Sequence, residues 1–514
     1  MTSPSTETET RVVDHLVVGA GFAGLCAAIK LQEVGETDFV VIEKGSDVGG
    51  TWRDNTYPGA ACDVPSQLYS YSFAPNPDWS MSFSPQPEIQ AYIRRVAESS
   101  GTLDRFVFDT AVTDMAYDAA AQRWTVTTTG GTWSARTLVV GAGGLSEPRL
   151  PDIEGIGDFE GELFHSAQWD HDVDLTGKRV AVIGTGASAI QIIPEVQQQA
   201  GHLDVYQRTA PWVMPRHDRT YSRLEKAALQ HVPGLQKVYR TAIYWGRETY
   251  VAPFTLAPRI LAPVQKVARA NIDKAISDPE LRAKVTPDFR MGCKRILISN
   301  RYYPALAADN TDVVTDPIAR VGAHSITTAD GTEREIDVLV VATGFYTTEL
   351  PIAEHVTGRT GRTLAARFAE SGMAAYKGTT IPEFPNLFFI VGPNTGLGHS
   401  SMVFMIESQV AYIRDAIATM RAHDYGAVEV REDAARSFNE GLQRRMKRTV
   451  WSTGGCSSWY LDKHGNNTTL WPRSTVSFRR DLASFDVAAY TVSAPSPTHE
   501  TQPTQPTTRE DVPA

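Results

Sequence analysis

Twice in this chain a run of β-branched and apolar residues breaks into closely spaced glycines and then resumes as a helical pattern. The first copy is "VVDHLVVGAGFAGLCAAIKLQEVG", with Gly19, Gly21 and Gly24 in Gly-x-Gly-x-x-Gly spacing. A strand that ends in such glycines and feeds a helix offers backbone N–H groups and a positive helix N-terminus to a pyrophosphate. Gly19 serves the tight turn, Gly21 the close approach of backbone to ligand, and Gly24 the packing of helix on strand. The next strand, "DFVVIEK", ends in Glu43, nineteen residues beyond Gly24. A carboxylate there accepts hydrogen bonds from a ribose diol and repels a 2′-phosphate, which selects FAD or NAD.

The second copy is "KRVAVIGTGASAIQIIPEV", with Gly184, Gly186 and Ala189 at the same spacing and Ser188 in the same turn. Its following strand, "HLDVYQRTA", carries Arg208 where the first copy has Glu43, again at an offset of nineteen. A guanidinium in that place favours the 2′-phosphate of NADPH, and the Thr209 hydroxyl stands ready to bond the same group. A solvated charge at a strand end is the plainer alternative for Arg208. One site that reads a diol and one that reads a phosphate imply FAD and NADPH as cofactors, with hydride donor and flavin brought together. The fold class is therefore α/β, two Rossmann-like dinucleotide-binding domains with a helical insertion.

At 514 residues the chain exceeds a single core. The expected division is a disordered lead (1–10), an FAD-binding domain in two pieces (11–150 and 332–490), an NADP-binding domain in two pieces (151–216 and 289–331), a helical insertion (217–288) and a disordered tail (491–514). "QRWTVTTTGGTWSARTLVV" reads as a hairpin turning at Gly130 and Gly131. The strand in "REIDVLVVATGFYTTELP" reads as the return to the first domain, and "SMVFMIESQVAYIRDAIATMRAH" as a long helix starting close to the flavin. His399, just before it, is either a ligand contact or an ordinary helix-start histidine.

A net charge of −10, from 49 basic against 59 acidic residues, argues against nucleic acid as a partner. No apolar run is long enough for a membrane span, and "MTSPSTETETR" lacks a signal-peptide core, so the expected location is cytoplasmic. Four scattered cysteines, Cys26, Cys62, Cys293 and Cys456, read as small apolar packers in a reducing compartment. No metal-ligand spacing and no hydrolytic nucleophile motif is seen, so no metal is expected.

The connector between the two glycine motifs reads "FEGELFHSAQWD", with Phe159, Gly161, His165, Trp169 and Asp170 at wide spacing. It resembles the fingerprint of type I Baeyer–Villiger monooxygenases, members of the flavin-containing monooxygenase superfamily. A second signature of that family is matched by "GGTWRDNTYPGAACD", residues 49–63, which holds Gly50, Trp52, Tyr57 and Asp63. The resemblance spans roughly residues 12–490, in the right order. Related N- and S-oxygenases usually lack the tryptophan, which makes Trp169 the discriminating residue.

The resemblance implies a definite chemistry. NADPH reduces FAD, O2 adds to give a C4a-peroxyflavin, and this attacks a small-molecule ketone to yield an ester or lactone. It also implies roles. In "GCKRILISNRYYP", Arg295 matches the active-site arginine held by Asp63, and Lys294 matches a partner of the NADP 2′-phosphate. Trp459 in "SSWYLDKHGNN" matches a tryptophan near the nicotinamide, and Trp52 and Tyr57 are expected to pack around flavin. His165 is expected to act as a hinge between the two cofactor domains rather than as a proton donor to substrate. The rival readings are a flavin N- or S-oxygenase, a non-catalytic flavin redox sensor, and an NADPH oxidase that releases hydrogen peroxide.

Overall fold

The computed structural model of the protein describes residues 9–497. The expected disordered lead and tail lie almost wholly outside that range. Two sheets, each entered by one of the glycine motifs, organise the molecule.

The first sheet begins with β1 (Arg11–Val18), β2 (Phe39–Ile42), β3 (Phe106–Val107), β4 (Val112–Asp118), β5 (Arg123–Thr128) and β6 (Gly131–Val140). Strands β1, β2 and β3 run parallel in a row beside β6, while β4, β5 and β6 form an antiparallel meander. Side chains alternate across β1. Val17 packs into one core with the helix Phe22–Glu33, while Leu16 and Val18 pack into another on the opposite face. Covering on both faces accounts for the consecutive apolar residues Leu16, Val17 and Val18 at its end. The β5–β6 pair is the hairpin read from the sequence, closing at Thr128 opposite Gly131.

The second sheet is parallel throughout. It contains β7 (Glu162–His165), β8 (Arg179–Ile183), β9 (His202–Tyr206), β12 (Thr311–Val314) and β16 (Val338–Val341), in the order β12-β9-β8-β16-β7. Between them in sequence come a short parallel pair, β10 (Val213–Met214) with β11 (Leu297–Ile298), and an antiparallel trio, β13 (Ile318–Val321), β14 (Ser325–Thr328) and β15 (Glu333–Glu335).

The position of β16 corrects the sequence reading, which returned the chain to the first sheet at residue 332. This strand lies between β8 and β7 in the second sheet, and the return follows it. A short, fully buried apolar strand fits either sheet equally well, so nothing in its own pattern chooses its neighbours. The return itself is tied to the outgoing connection: Arg149 N–H donates to Gly344 O at 2.9 Å, and Tyr346 N–H to Glu147 O at 3.2 Å. Strands β17 (Val356–Thr357) and β18 (Leu387–Phe389) then complete the first sheet, beside β4 and β6.

Helices fill much of 217–288: Arg223–His231, Leu235–Glu248, Val251–Thr255, Leu261–Ala275 and Pro279–Val285. Ser222 and Glu225 form a capping box at the first, and the Asp278 carboxylate caps the last. The long helix Met402–Ala422 packs on Phe22–Glu33. A final antiparallel pair joins β19 (Ala427–Val430) to β20 (Tyr490–Ser493), with Val428 opposite Val492. The tail therefore departs later than residue 491; a strand this short is swamped by the Pro/Thr/Ser composition that follows it. Among the described residues, no helix is long and apolar enough to cross a membrane.

Candidate functional site

The first glycine turn admits no side chain at Gly19 or Gly24. Gly19 has φ +96°, and a Cβ there would lie 2.8 Å from Gly141 O. A Cβ on Gly24 would lie 1.7 Å from Gly19 O. The segment "GGTW" closes on this turn from outside. Gly49 N–H donates to Ala20 O at 2.9 Å, and Gly50, at φ +51°, would bring a Cβ to 3.1 Å from Gly21 Cα. The result is a cradle lined by backbone at a helix start, which fits a dinucleotide pyrophosphate.

Glu43 is buried at the end of β2. It accepts Ala20 N–H at 2.7 Å, Gly45 N–H at 2.8 Å and Arg53 Nη1 at 2.8 Å. A carboxylate has about four acceptor positions, so one is left for a ribose hydroxyl. Arg53, which sequence reasoning missed, also donates to Asp47 O at 2.7 Å and pairs with Asp54. Trp52 donates Nε1–H to the Tyr69 hydroxyl at 3.0 Å and meets that ring edge-on.

Tyr57 reaches from its own motif to the helix of the second glycine turn. It packs against the core of the second sheet, and its hydroxyl donates to Gln191 Oε1 at 3.0 Å. Gln191 Nε2 returns a bond to Ala61 O at 3.0 Å, and Gly59, at φ +81°, leaves only 2.6 Å between a Cβ and Gln191 O. The Tyr-Pro-Gly turn thus faces the helix Ala189–Gln197 of the second glycine motif. A tyrosine in a cofactor-binding motif does not reveal which of two neighbouring cores it joins.

The second turn repeats the first. Gly184 has φ +123°, with Ala342 O only 2.4 Å from a Cβ, while Gly186 opens onto free space. Ser188 precedes the helix without capping it, and Ala189 is fully buried, which explains why a small residue suffices there. Arg208 is exposed at the end of β9, and Thr209 O accepts the Thr185 hydroxyl at 3.0 Å. Lys294 reaches towards Arg208. Burial and that repulsion lower its proton affinity, opposed by Asp288. Two cations brought together in this way fit a doubly charged phosphate.

Arg295 and Asp63 come together from opposite ends of the fold. Arg295 Nε donates to Asp63 Oδ2 at 2.8 Å and Nη2 to the same oxygen at 2.6 Å, while Nη1 reaches Leu397 O at 3.5 Å. Burial pushes the Asp63 carboxyl up, but the Arg295 guanidinium more than offsets it and holds the group below its ordinary range. Asp63 in turn lifts the Arg295 pKa above its ordinary value against the cost of burial. Tyr460 is also buried here, its hydroxyl pushed up to about 12 by burial. Pairing of β11 with β10 anchors the segment that carries Arg295.

The cysteines divide. Cys26 and Cys62 are buried and free, as packers are. Cys293 and Cys456 form a disulfide instead, correcting the reading of all four as small apolar packers. The two lie 163 residues apart, and no local spacing reveals such a pairing. The bond ties the loop of Trp459 to the segment of Lys294 and Arg295. Trp459 is 46% exposed, its ring 4.4 Å from that of Tyr460.

The connector is built around His165. Gly161 is required because a Cβ would lie 2.5 Å from Asp337 O and 2.6 Å from the Phe159 ring. His165 pairs with Val341 across β7 and β16 and is 2% exposed. Its Nδ1 accepts Ala167 N–H at 3.1 Å, and its ring meets Phe345 edge-on at 5.7 Å. The other nitrogen, Nε2, is buried near the Gly344 backbone without an aligned hydrogen bond. Burial lowers the pKa of the ring, with the Gly344 contact opposing. Trp169 meets Phe164 edge-on at 4.9 Å, and Asp170, exposed, accepts Asp172 N–H at 2.9 Å. His399 is buried, its Nε2 3.2 Å from Glu248 Oε1.

The chain's relatives agree with this geometry. The pyridine nucleotide-disulphide oxidoreductase family matches residues 16–242. A Baeyer-Villiger monooxygenase of Streptomyces coelicolor is 51% identical over 483 residues, covering 94% of this chain and 93% of its own. One from Pseudomonas aeruginosa is 48% identical, covering 95% and 93%. Among solved structures, an oxidized steroid monooxygenase bound to NADP superposes with a TM-score of 0.82 at 32% identity, over 94% of this chain and 99% of that one. A closed cyclohexanone monooxygenase gives 0.84 at 28% identity, over 95% and 100%. With about half of all residues identical over more than nine-tenths of each chain, the chain belongs to the Baeyer–Villiger monooxygenase family.

Proposed function

We propose that this protein is an FAD- and NADPH-dependent monooxygenase that inserts one oxygen atom of O2 beside a ketone carbonyl, giving an ester or lactone. The observation that carries this reading is the guanidinium of Arg295, fixed on one oxygen of Asp63 in the segment that also bears Lys294. Bound flavin supplies the activation of O2. The chain's own residues hold the cofactors, exclude water and stabilise negative charge on oxygen.

FAD is assigned to Gly19, Gly21, Gly24, Glu43 and Gly50, with Trp52 beside it. NADPH is assigned to Gly184, Gly186, Ser188, Arg208, Thr209 and Lys294, with Trp459 approaching from its loop. Tyr57 joins the two sites through Gln191. Arg295 remains protonated at any working pH, so its charge faces a developing oxyanion without proton bookkeeping. Asp63 orients it. Phe159, Gly161, His165, Trp169 and Asp170 serve as the joint on which the two cofactor sites shift between hydride transfer and oxygen insertion.

The substrates are a small ketone and O2. A cytoplasmic location is part of this proposal. The test is turnover of linear, cyclic and aryl ketones with NADPH under isotopically labelled O2. Products heavier by one labelled oxygen support the reading. Unchanged ketones throughout, from protein that holds its flavin, overturn it.

A further inference from the structure

The helix Leu235–Glu248 lays one face across the Asp63 segment. Gln236 Nε2 bonds Gln67 Oε1 at 3.0 Å, and Arg240 Nη1 donates to Gln67 O at 2.8 Å and Leu68 O at 3.2 Å. One turn on, the Tyr244 hydroxyl bonds Thr475 Oγ1 at 2.8 Å. At the end of the helix, the Glu248 carboxylate accepts the Thr475 hydroxyl at 2.6 Å and faces His399. Positions 236, 240, 244 and 247 recur at helical spacing, so Arg247 shares this inward face. His399 stands two residues from Leu397, whose carbonyl Arg295 reaches. Arg247, carried by a separate element, lies near enough to Asp63 and Arg295 to feel both charges.

Arg247 is incompletely satisfied. Its Nε is buried without a hydrogen-bond partner, and no carboxylate among the described residues forms an ion pair with its guanidinium. The Tyr250 ring lies 5.6 Å from it. Burial opposes its charge, Asp63 favours it from a distance and Arg295 repels it. Asp63 Oδ2 is already committed to Arg295. Beyond the Arg295–Asp63 pair, a second guanidinium is thus left without a carboxylate partner of its own among the described residues. A buried charged donor is costly until an acceptor meets it.

We propose that Arg247 binds the carboxylate of an oxo carboxylic acid, so that the enzyme prefers ketones carrying an acid at their far end. This rests on the ketone oxygenation proposed above and names its substrate class.

The test pairs a medium-chain oxo carboxylic acid with its methyl ester, using flavin-loaded wild type, Arg247→Gln and Arg247→Lys. The wild type is expected to show the higher kcat/KM with the acid. In Arg247→Gln the acid-to-ester ratio of kcat/KM is expected to fall about ten- to a hundredfold, the size of a lost charge-assisted hydrogen bond, with Arg247→Lys in between. Equilibrium binding of the acid, followed by the flavin absorbance change in the oxidised enzyme, is expected to weaken in parallel. A wild type that favours the ester or shows no preference overturns the proposal, as does an equal loss with both substrates in Arg247→Gln. If no ketone is oxygenated at all, the functional reading falls separately, and the binding titration still decides the role of Arg247.

Discussion

Arg295 places both Nε and Nη2 on a single oxygen of Asp63, at 2.8 and 2.6 Å, and leaves Oδ1 of that carboxylate uncommitted. A fork seated on one oxygen differs from a fork-to-fork pair, since both donors converge on Oδ2.

Asp63→Asn keeps an acceptor beside Arg295 but removes the charge. Ketone turnover is expected to fall about ten- to a hundredfold, while NADPH still reduces the bound flavin. Oxygen consumed and product formed should part company, with hydrogen peroxide making up the difference. Because Arg295 holds the Asp63 carboxyl low, the pair persists at neutral pH and is lost only as pH falls through the depressed pKa. Tight coupling in Asp63→Asn would show that orientation by the carboxylate is dispensable.

Burial and the Arg208 guanidinium lower the proton affinity of Lys294, opposed by Asp288. Arg208→Ala and Lys294→Ala are each expected to raise the KM for NADPH about ten- to a hundredfold and to change that for NADH little. The double variant should lose less than the two single losses combined, since both cations serve one phosphate. Steady-state kinetics with the two cofactors, side by side, decides it.

Burial holds the His165 pKa below its ordinary value, with the Gly344 contact opposing. The unfolded chain therefore takes up a proton first as pH falls below about 6.5, and stability declines from there downward. Denaturant midpoints measured at about pH 7.5 and about pH 5.5 should show this loss, and His165→Asn should reduce it. An unchanged pH dependence in the variant would mean that other groups set the slope.

The Cys293–Cys456 bond and the two free thiols give a countable result. Protein denatured without reductant is expected to show two reactive thiols per chain, Cys26 and Cys62, and four after reduction. Four thiols before reduction would place Cys293 and Cys456 in the free state.

The glycine turns were readable in the sequence because their requirement is local: a Cβ at Gly24 meets Gly19 O whatever the rest of the chain does. The encounter of Arg295 with Asp63 was readable only through two family signatures, since 232 residues separate them. Where a choice depends on three-dimensional neighbours, pattern gave no purchase. The apolar strand β16 is equally at home in either sheet, and Tyr57 turned to the second core through Gln191. Arg53 and Arg247 were hidden for a related reason. An arginine in a motif or on a helix reads as surface charge until the carboxylate beside it, or the lack of one, is in view.

The account rests on a fixed positive charge that steers oxygen to a ketone carbonyl, and Arg295→Ala tests it most directly. Rapid-mixing absorbance should show this variant reducing its flavin with NADPH at near the wild-type rate. The same sample, given O2 and a ketone that the wild type converts, should yield no ester or lactone and release hydrogen peroxide instead. Ester formed at the wild-type yield by Arg295→Ala would contradict the account.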